Sequence, residues 1–251
     1  MEAILMTRHY TAHKSWYDLR YFYFNDKVGY STCGIAFSTL LAEYRQLKVT
    51  LNYKLDEWYE AISLSPNHTI LGYLVEQMCL NAIQRGALGG TILQEIDKEL
   101  GNRLEEKEFF HDIPPVADMI DRQIDLQLYI PNTVNFPDID GAIVRLDHVK
   151  REAFVYLFQV AIAKAHKDSE TNFYMKQWEQ WKKRFTTHKY SVSSTFVWIE
   201  EKPSTTNGLK KIEGTNRDTR TGQKVVVDGH GSVCISIKSL DPVLHAYYGS
   251  T

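Results

Sequence analysis

Between residues 123 and 200 the hydrophobic period runs from two to 3.6 and back to two, and this ordering constrains the fold more than any other feature of the chain. Ile124, Leu126, Leu128 and Ile130 alternate with polar neighbours, the pattern of a half-buried strand over residues 123–130. Two more strands are expected over residues 140–146 and 153–163, joined as a hairpin by the polar loop 147–152. Phe173, Tyr174, Trp178, Trp181 and Phe185 then recur at helical spacing across residues 170–185. A fourth strand follows over residues 193–200, and the short apolar runs 225–227 and 233–237 can close the sheet. Upstream, Ser65 as N-cap and Pro66 at the first helical position start a helix that runs to about Arg85 and stops at Gly86. Helix, three strands, helix and strand make a mixed α/β core around one central sheet.

The remaining segments read less sharply. The aromatic stretch 16–30, with turn residues at 25–29, predicts a strand or short hairpin. Residues 35–46 predict a short helix and residues 91–106 a second, longer one. Pro114-Pro115 breaks whatever precedes it. Residues 203–221 form a polar loop. Residues 1–60 are expected as a small helical or mixed extension packed on the core domain, residues 61–251.

A composition of 43% hydrophobic and 24% charged residues is that of a globular chain, which excludes a wholly disordered or collagen-like one. The apolar runs 69–83 and 153–163 contain polar residues and fall short of the ~18 apolar residues of a membrane span. The first eight residues lack the apolar core of a signal peptide, so the chain reads as soluble, with no membrane partner. Cys33, Cys79 and Cys234 are scattered without CxxC spacing, which argues against a zinc site or a disulfide framework. The net charge of −2 hides an asymmetry: residues 1–163 carry seven more acids than bases, residues 164–224 six more bases than acids. Such a basic segment either presents a cationic face to a polyanion or segregates charge between solvated helices.

Three polar positions fall inside apolar elements. On the wheel of the first helix, Gln77, Asn81 and Gln84 mark a solvent face, and Glu76 lies about 100° away beside Tyr73, Leu80 and Ile83. A carboxylate there is costly unless it is paired, metal-bound or able to reach water. In Phe136-Pro-Asp138-Ile-Asp140-Gly, the two acids share a face by strand alternation. Asp138 reads as a turn residue, and Asp140, at the strand's edge, as a functional one. On the strand 153–163, Phe154, Tyr156, Phe158, Val160 and Ile162 form one face, and Val155, Leu157, Gln159, Ala161 and Ala163 the other. Gln159 either meets Asp140 across the strand pair or satisfies its amide on backbone groups. An acid on one strand, an acid or amide on the next and a Glu on the preceding helix form a site for a hard cation, Mg²⁺ or Mn²⁺. Such an ion activates water and clamps a scissile phosphate.

These residues, in this order, resemble the PD-(D/E)XK nuclease superfamily, whose motif is an Asp, a hairpin, then Glu-x-Lys or Gln-x-Lys; Gln159 stands 19 positions after Asp140. More narrowly, the chain is similar to the C-terminal effector domains of Crinkler proteins and to the related retrotransposon-hot-spot proteins. The similarity is carried by Asp18-Leu-Arg-Tyr-Phe-Tyr-Phe, Val28-Gly-Tyr-Ser-Thr-Cys-Gly34, Ser65-Pro66 and Gly72-Tyr-Leu-Val-Glu76-Gln. It continues through Phe136-Pro-Asp-Ile-Asp140-Gly and Leu157-Phe-Gln159-Val-Ala-Ile-Ala-Lys-Ala-His166, and spans about residues 16–200. The resemblance implies a restriction-endonuclease-like core in which a central mixed β-sheet is flanked by helices. It implies metal-dependent hydrolysis of DNA phosphodiesters by a host-directed effector, with Glu76, Asp140, Gln159 and Lys164 as catalytic positions and Glu76 and Asp140 holding the metal. It also implies secretion and delivery to a host nucleus, with double-stranded DNA or a host nuclear protein as partner. In Crinklers such a domain follows a secretion header and an NTPase; this chain carries neither and reads as the isolated effector domain or a shortened relative.

One position departs from the motif. Ala161 stands where the lysine is expected. Lys164 is the nearest replacement, and it shares its parity with His166 and not with Gln159, so a bulge is needed to bring it back. Two readings therefore stand side by side: an active nuclease, and a module of the same fold that binds nucleic acid or a host protein without cleaving. Lys182, Lys183, Arg184, Lys210 and Lys211 are the expected phosphate contacts; the first three are consecutive, so at most two share a helix face. Other chemistries lack their motifs. There is no P-loop, the glycines of 86–90 are no dinucleotide fingerprint, and Gly229-His-Gly-Ser232 lacks the context of a hydrolase nucleophile elbow. The 5 tryptophans and 15 tyrosines read as core residues more than as base-stacking platforms.

Overall fold

The computed structural model describes residues 22–25, 28–31, 68–104, 107–132, 136–161, 168–201, 216–217, 224–225 and 230–248. The expected helix 35–46, most of the extension 1–60 and most of the loop 203–221 lie outside these residues. Within the aromatic N-terminal stretch, β1 (Phe22–Asn25) and β2 (Val28–Ser31) pair as the antiparallel hairpin that the turn residues predict. Residues 216–217 (β8) and 224–225 (β9) form a second small antiparallel pair.

The core is a mixed six-stranded sheet flanked by helices, an α/β architecture. In chain order it comprises α1 (His68–Gln84), α2 (Ile92–Ile96), β3 (Lys107–Phe110), α3 (Val116–Asp121), β4 (Leu126–Pro131), β5 (Gly141–Asp147) and β6 (Glu152–Ala161). It continues with α4 (Ser169–Lys176), α5 (Trp178–Thr187), β7 (Ser191–Glu200), β10 (His230–Ser236), α6 (Ile237–Leu240) and α7 (Pro242–Tyr248). The sheet order is β10-β7-β6-β5-β4-β3. The central meander β4-β5-β6 is antiparallel; β7 joins β6 in parallel, β10 joins β7 in parallel, and β3 joins β4 in parallel. The order helix, three strands, helix, strand expected from periodicity is present; β10 closes one edge where the run 233–237 is expected to, β3 is added at the other edge, and Val225 pairs in the separate β8-β9 sheet instead.

Strand alternation divides the core into two layers. Tyr156, Phe158 and Val160 of β6 face a cluster made by Val75, Met78, Cys79, Leu80 and Ile83 of α1 with Ile237, Leu240 and Leu244 of the C-terminal helices. Ala153, Val155 and Leu157 face the opposite cluster, built on Val116, Met119 and Ile120 of α3 and on Phe173, Trp178, Trp181 and Phe185 of α4 and α5. The two faces of β6 are those the alternation assigns.

Three expectations need correction. Residues 91–106 do not form one helix: α2 ends at Ile96, Asp97 turns extended at φ −146, and a 3-10 turn spans Lys98–Gly101 before β3 begins. The Asp97 side chain accepts from the Glu99 N–H, so it caps a new turn instead of continuing the old one. Residues 170–185 form two helices, broken at Gln177, whose side chain donates to the Pro137 carbonyl at 3.0 Å. Gln77 is buried, not a solvent-face residue, because α6 and α7 cover the side of α1 that the sheet leaves open. The stop at Gly86 holds: its φ is +90, and a Cβ there would lie 2.9 Å from the Gly101 carbonyl oxygen. Only glycine meets both conditions without strain.

Candidate functional site

The β5–β6 register is fixed by the hairpin, with Gly141 paired to Phe158. One residue further out, Asp140 leaves the ladder: its N–H donates to the Phe158 carbonyl at 2.8 Å, so Asp140 and Gly141 both stand against Phe158. What joins Asp140 to the end of β6 is its carboxylate. Gln159 is buried, and its Nε2 donates to Asp140 Oδ2 at 2.9 Å; the Val160 N–H donates to the same oxygen at 2.7 Å. The amide is thus satisfied by the acid and not by backbone groups. The two donors also hold the carboxylate at the end of the sheet in one orientation.

Glu76 belongs to α1, on the other side of the sheet, and is partly exposed. The helix reaches this region through Leu80, one turn on, whose Cδ2 would be 2.8 Å from a Cβ on Gly141. Glycine at 141 thus lets α1 sit directly over the start of β5. The buried Cys79 thiol between them is raised well above its ordinary value, first by burial and then by the negative charge of Asp241, Asp140 and Glu76. Cys234 is pushed up to about 12 by burial and by Glu200, whose carboxylate accepts from its thiol at 3.4 Å. Both cysteines stay protonated at neutral pH and are poor nucleophiles.

Among the described residues no group of three or more His, Cys, Asp or Glu is arranged to hold a metal ion. Magnesium needs no such cage: one or two carboxylates suffice when waters and phosphate oxygens complete the shell. Asp140, fixed by two donors, is available as one such carboxylate; Glu76, partly exposed, belongs to the helix on the other side of the sheet.

Asp138 is a turn residue, as expected, with φ +72. Its carboxylate accepts from Gln177 Nε2 at 3.3 Å. Burial raises its pKa, and Lys176, Gln177 and Asn172 oppose that rise. Asp138 therefore anchors the turn before β5 to the junction of α4 and α5. Lys164 and His166, and the basic residues Lys210 and Lys211, lie outside the described residues. Ala161 ends β6, on the face of Gln159 and beside Glu200 of β7. On α5, Trp178, Trp181 and Phe185 point into the core; Lys183 and Arg184 are exposed and Lys182 is partly so. From the Gln177 anchor to Arg184 the helix advances roughly 10 Å, away from the Asp138 turn and toward the start of β7 at Ser191.

A second polar cluster takes in His230 and Ser232 of the Gly229-His-Gly-Ser232 stretch, set aside above as a hydrolase motif. Glu170, at the start of α4, accepts from His230 Nε2 at 2.7 Å, from Ser232 Oγ at 3.2 Å and from Trp198 Nε1 at 3.0 Å. The Tyr174 ring lies 3.9 Å from the His230 ring, and Tyr174 donates to Ser194 at 3.0 Å. Burial lifts the Tyr174 hydroxyl well above its usual range. His230 Nδ1 has no hydrogen-bond partner among the described residues. Ser232 bonds to the carboxylate and not to the imidazole, so the cluster is no nucleophilic triad. The available signal was the alternation of β10, with His230, Ser232, Cys234 and Ser236 on one side and Val233 and Ile235 on the other. That pattern reads as a wet face until a helix places a carboxylate over it.

No described helix is long and apolar enough to cross a membrane. Comparison with protein-family models, with curated proteins and with solved structures returned no match.

Proposed function

We propose that the chain is a nuclease-type domain with a restriction-endonuclease-like core, acting on DNA phosphodiesters with a divalent cation at Asp140 and Glu76. The observation that carries this reading is the hydrogen bond from Gln159 to the Asp140 carboxylate at one end of a meander entered from a helix and left through a helix into a parallel strand. In this reading Gln159 and the Val160 N–H orient the carboxylate, and Asp140 and Glu76 would hold Mg²⁺ or Mn²⁺. When bound, the ion would supply an activated water and charge stabilisation at the phosphate. The resemblance to Crinkler-type effectors adds a host nucleus as the place of action, and DNA or a nuclear protein as partner. Ala161 favours a second reading, a non-cleaving module of the same fold, because no cation on β6 accompanies Gln159 among the described residues.

Incubation with plasmid and Mg²⁺ or Mn²⁺, with a chelator control, separates the two. The nuclease reading expects metal-dependent cleavage that falls roughly 10²–10³-fold in Asp140→Asn, where shape is kept and charge is removed. Binding without cleavage at any metal concentration leaves the module reading.

The flank of α5 makes a separate prediction. If Lys182 and Lys183 neutralise phosphates, Lys182→Ala/Lys183→Ala reduces the slope of log K against log salt on double-stranded DNA by about 0.9 for each phosphate that is no longer neutralised. An unchanged slope with equal affinity at every salt concentration makes this face a solvated one.

A further inference from the structure

We infer that Trp198 is a stacking platform for an unpaired nucleobase of the strand that lies at Asp140. The inference rests on the nucleic-acid reading above and adds the form of the substrate at the site. Trp178 and Trp181 are core residues, each 1% exposed. Trp198 differs in degree: it packs against the same core cluster as Trp178 and Trp181 but stays partly exposed, while Phe196, Val197 and Ile199 around it are buried. Its position is set by register. Gln159 donates to the Asp140 carboxylate, and Trp198 is the β7 partner of Gln159, so the indole stands beside the amide that reaches Asp140. Neighbouring strands are about 4.8 Å apart, which puts the Trp198 backbone roughly 10 Å from that of Asp140. That is the reach from a phosphate to the base of an adjoining nucleotide.

The indole is also held in advance. Its only polar atom, Nε1, is spent on Glu170, which is itself fixed by His230 and Ser232. The Phe196 ring braces it from within the sheet at a centroid distance of 5.0 Å, tilted by 49°. A ring whose edge is tied and whose neighbours are locked loses little freedom on binding, which favours a planar partner. The surroundings select the kind of partner. Glu170 and Glu200 lie beside the ring, so a phosphate is disfavoured there. A base is neutral and offers a π-face whatever its sequence. A base stacked on Trp198 has left its own duplex stack, so the site takes single-stranded or locally opened nucleic acid.

The test uses the full chain in chelator, so that binding is read apart from cleavage. Anisotropy of a labelled single-stranded oligonucleotide and of its duplex is measured with intrinsic tryptophan emission for wild type, Trp198→Phe and Trp198→Leu. The expected result is tryptophan quenching by the single strand that disappears in Trp198→Phe. Single-strand affinity is expected to fall about 5–100-fold in Trp198→Leu while duplex affinity is unchanged. Quenching of wild-type size in Trp198→Phe, or wild-type single-strand affinity in Trp198→Leu, overturns the inference and leaves the nucleic-acid reading standing. If wild type binds neither oligonucleotide, both fall. Should Trp198→Leu fail to fold, the quenching of Trp198→Phe decides alone.

Discussion

Asp97→Ala is expected to destabilise the fold by about 3–5 kcal/mol, the cost of removing one partner of a buried ion pair. Asp97, 6% exposed, accepts from Arg145 Nε and from the Tyr156 hydroxyl, the latter at 2.8 Å. It also accepts from the Glu99 N–H at 3.2 Å, so one carboxylate ties the turn after α2 to β5 and β6. Without it the buried Tyr156 hydroxyl is deprived of its acceptor, and among the described residues Arg145 keeps the Phe154 ring, 4.0 Å from its guanidinium carbon. Burial, and then Asp97 itself, raise Tyr156 far above ordinary tyrosine, so ionisation offers it no escape. Asp97→Asn retains an acceptor without the charge, and should fall between the two. Denaturant midpoints at constant slope measure this; a destabilisation under about 1 kcal/mol for the alanine variant means the pair is solvated in solution.

Glu170→Ala should be of similar size, because three donors converge on this carboxylate and His230 is 1% exposed. Each buried donor left without an acceptor costs about 1–3 kcal/mol, so the loss of this shared acceptor reaches the same about 3–5 kcal/mol. In a chain of this length that is a fall in melting temperature of roughly 6–20 °C. Glu170→Gln keeps one acceptor oxygen but turns an NH₂ toward other donors, and should recover only part of the stability. A double substitution with His230→Phe isolates the coupling between the two residues. If Glu170→Ala and Glu170→Gln melt together at the wild-type temperature, the cluster contributes nothing to stability.

These two clusters were illegible for the same reason. Asp97 lies in a stretch of good helix formers, and nothing within 91–106 signals that Arg145 and Tyr156, 48 and 59 positions away, draw its carboxylate out of the helix. Glu170 reads as an ordinary acid in the first turn of a helix. Its burial depends on the start of α4 meeting Trp198 of β7 and His230 and Ser232 of β10, partners that the sequence pattern does not name. Gln77 misled similarly: a helix wheel assumes one wet side, and α1 is covered from both.

What the chain determines on its own is whatever follows from alternation, short loops and special backbone angles. The faces of β6 follow from a period of two, and the hairpin at 147–152 carries that parity into β5. The parity that brings Gln159 near Asp140 was therefore readable from the residues, while the choice between that acid and backbone groups as its partner was not. The stop at Gly86 was readable because a positive φ and a close carbonyl admit only glycine. What the tertiary structure alone decided was partnership. The parallel pairing of β3, β7 and β10, the break at Gln177 and the company around Asp97, Glu170 and Trp198 all join residues distant in sequence. Local periodicity tells a side chain which way to face; which charge, ring or amide it finds there depends on the packing of elements whose order in space the pattern does not contain.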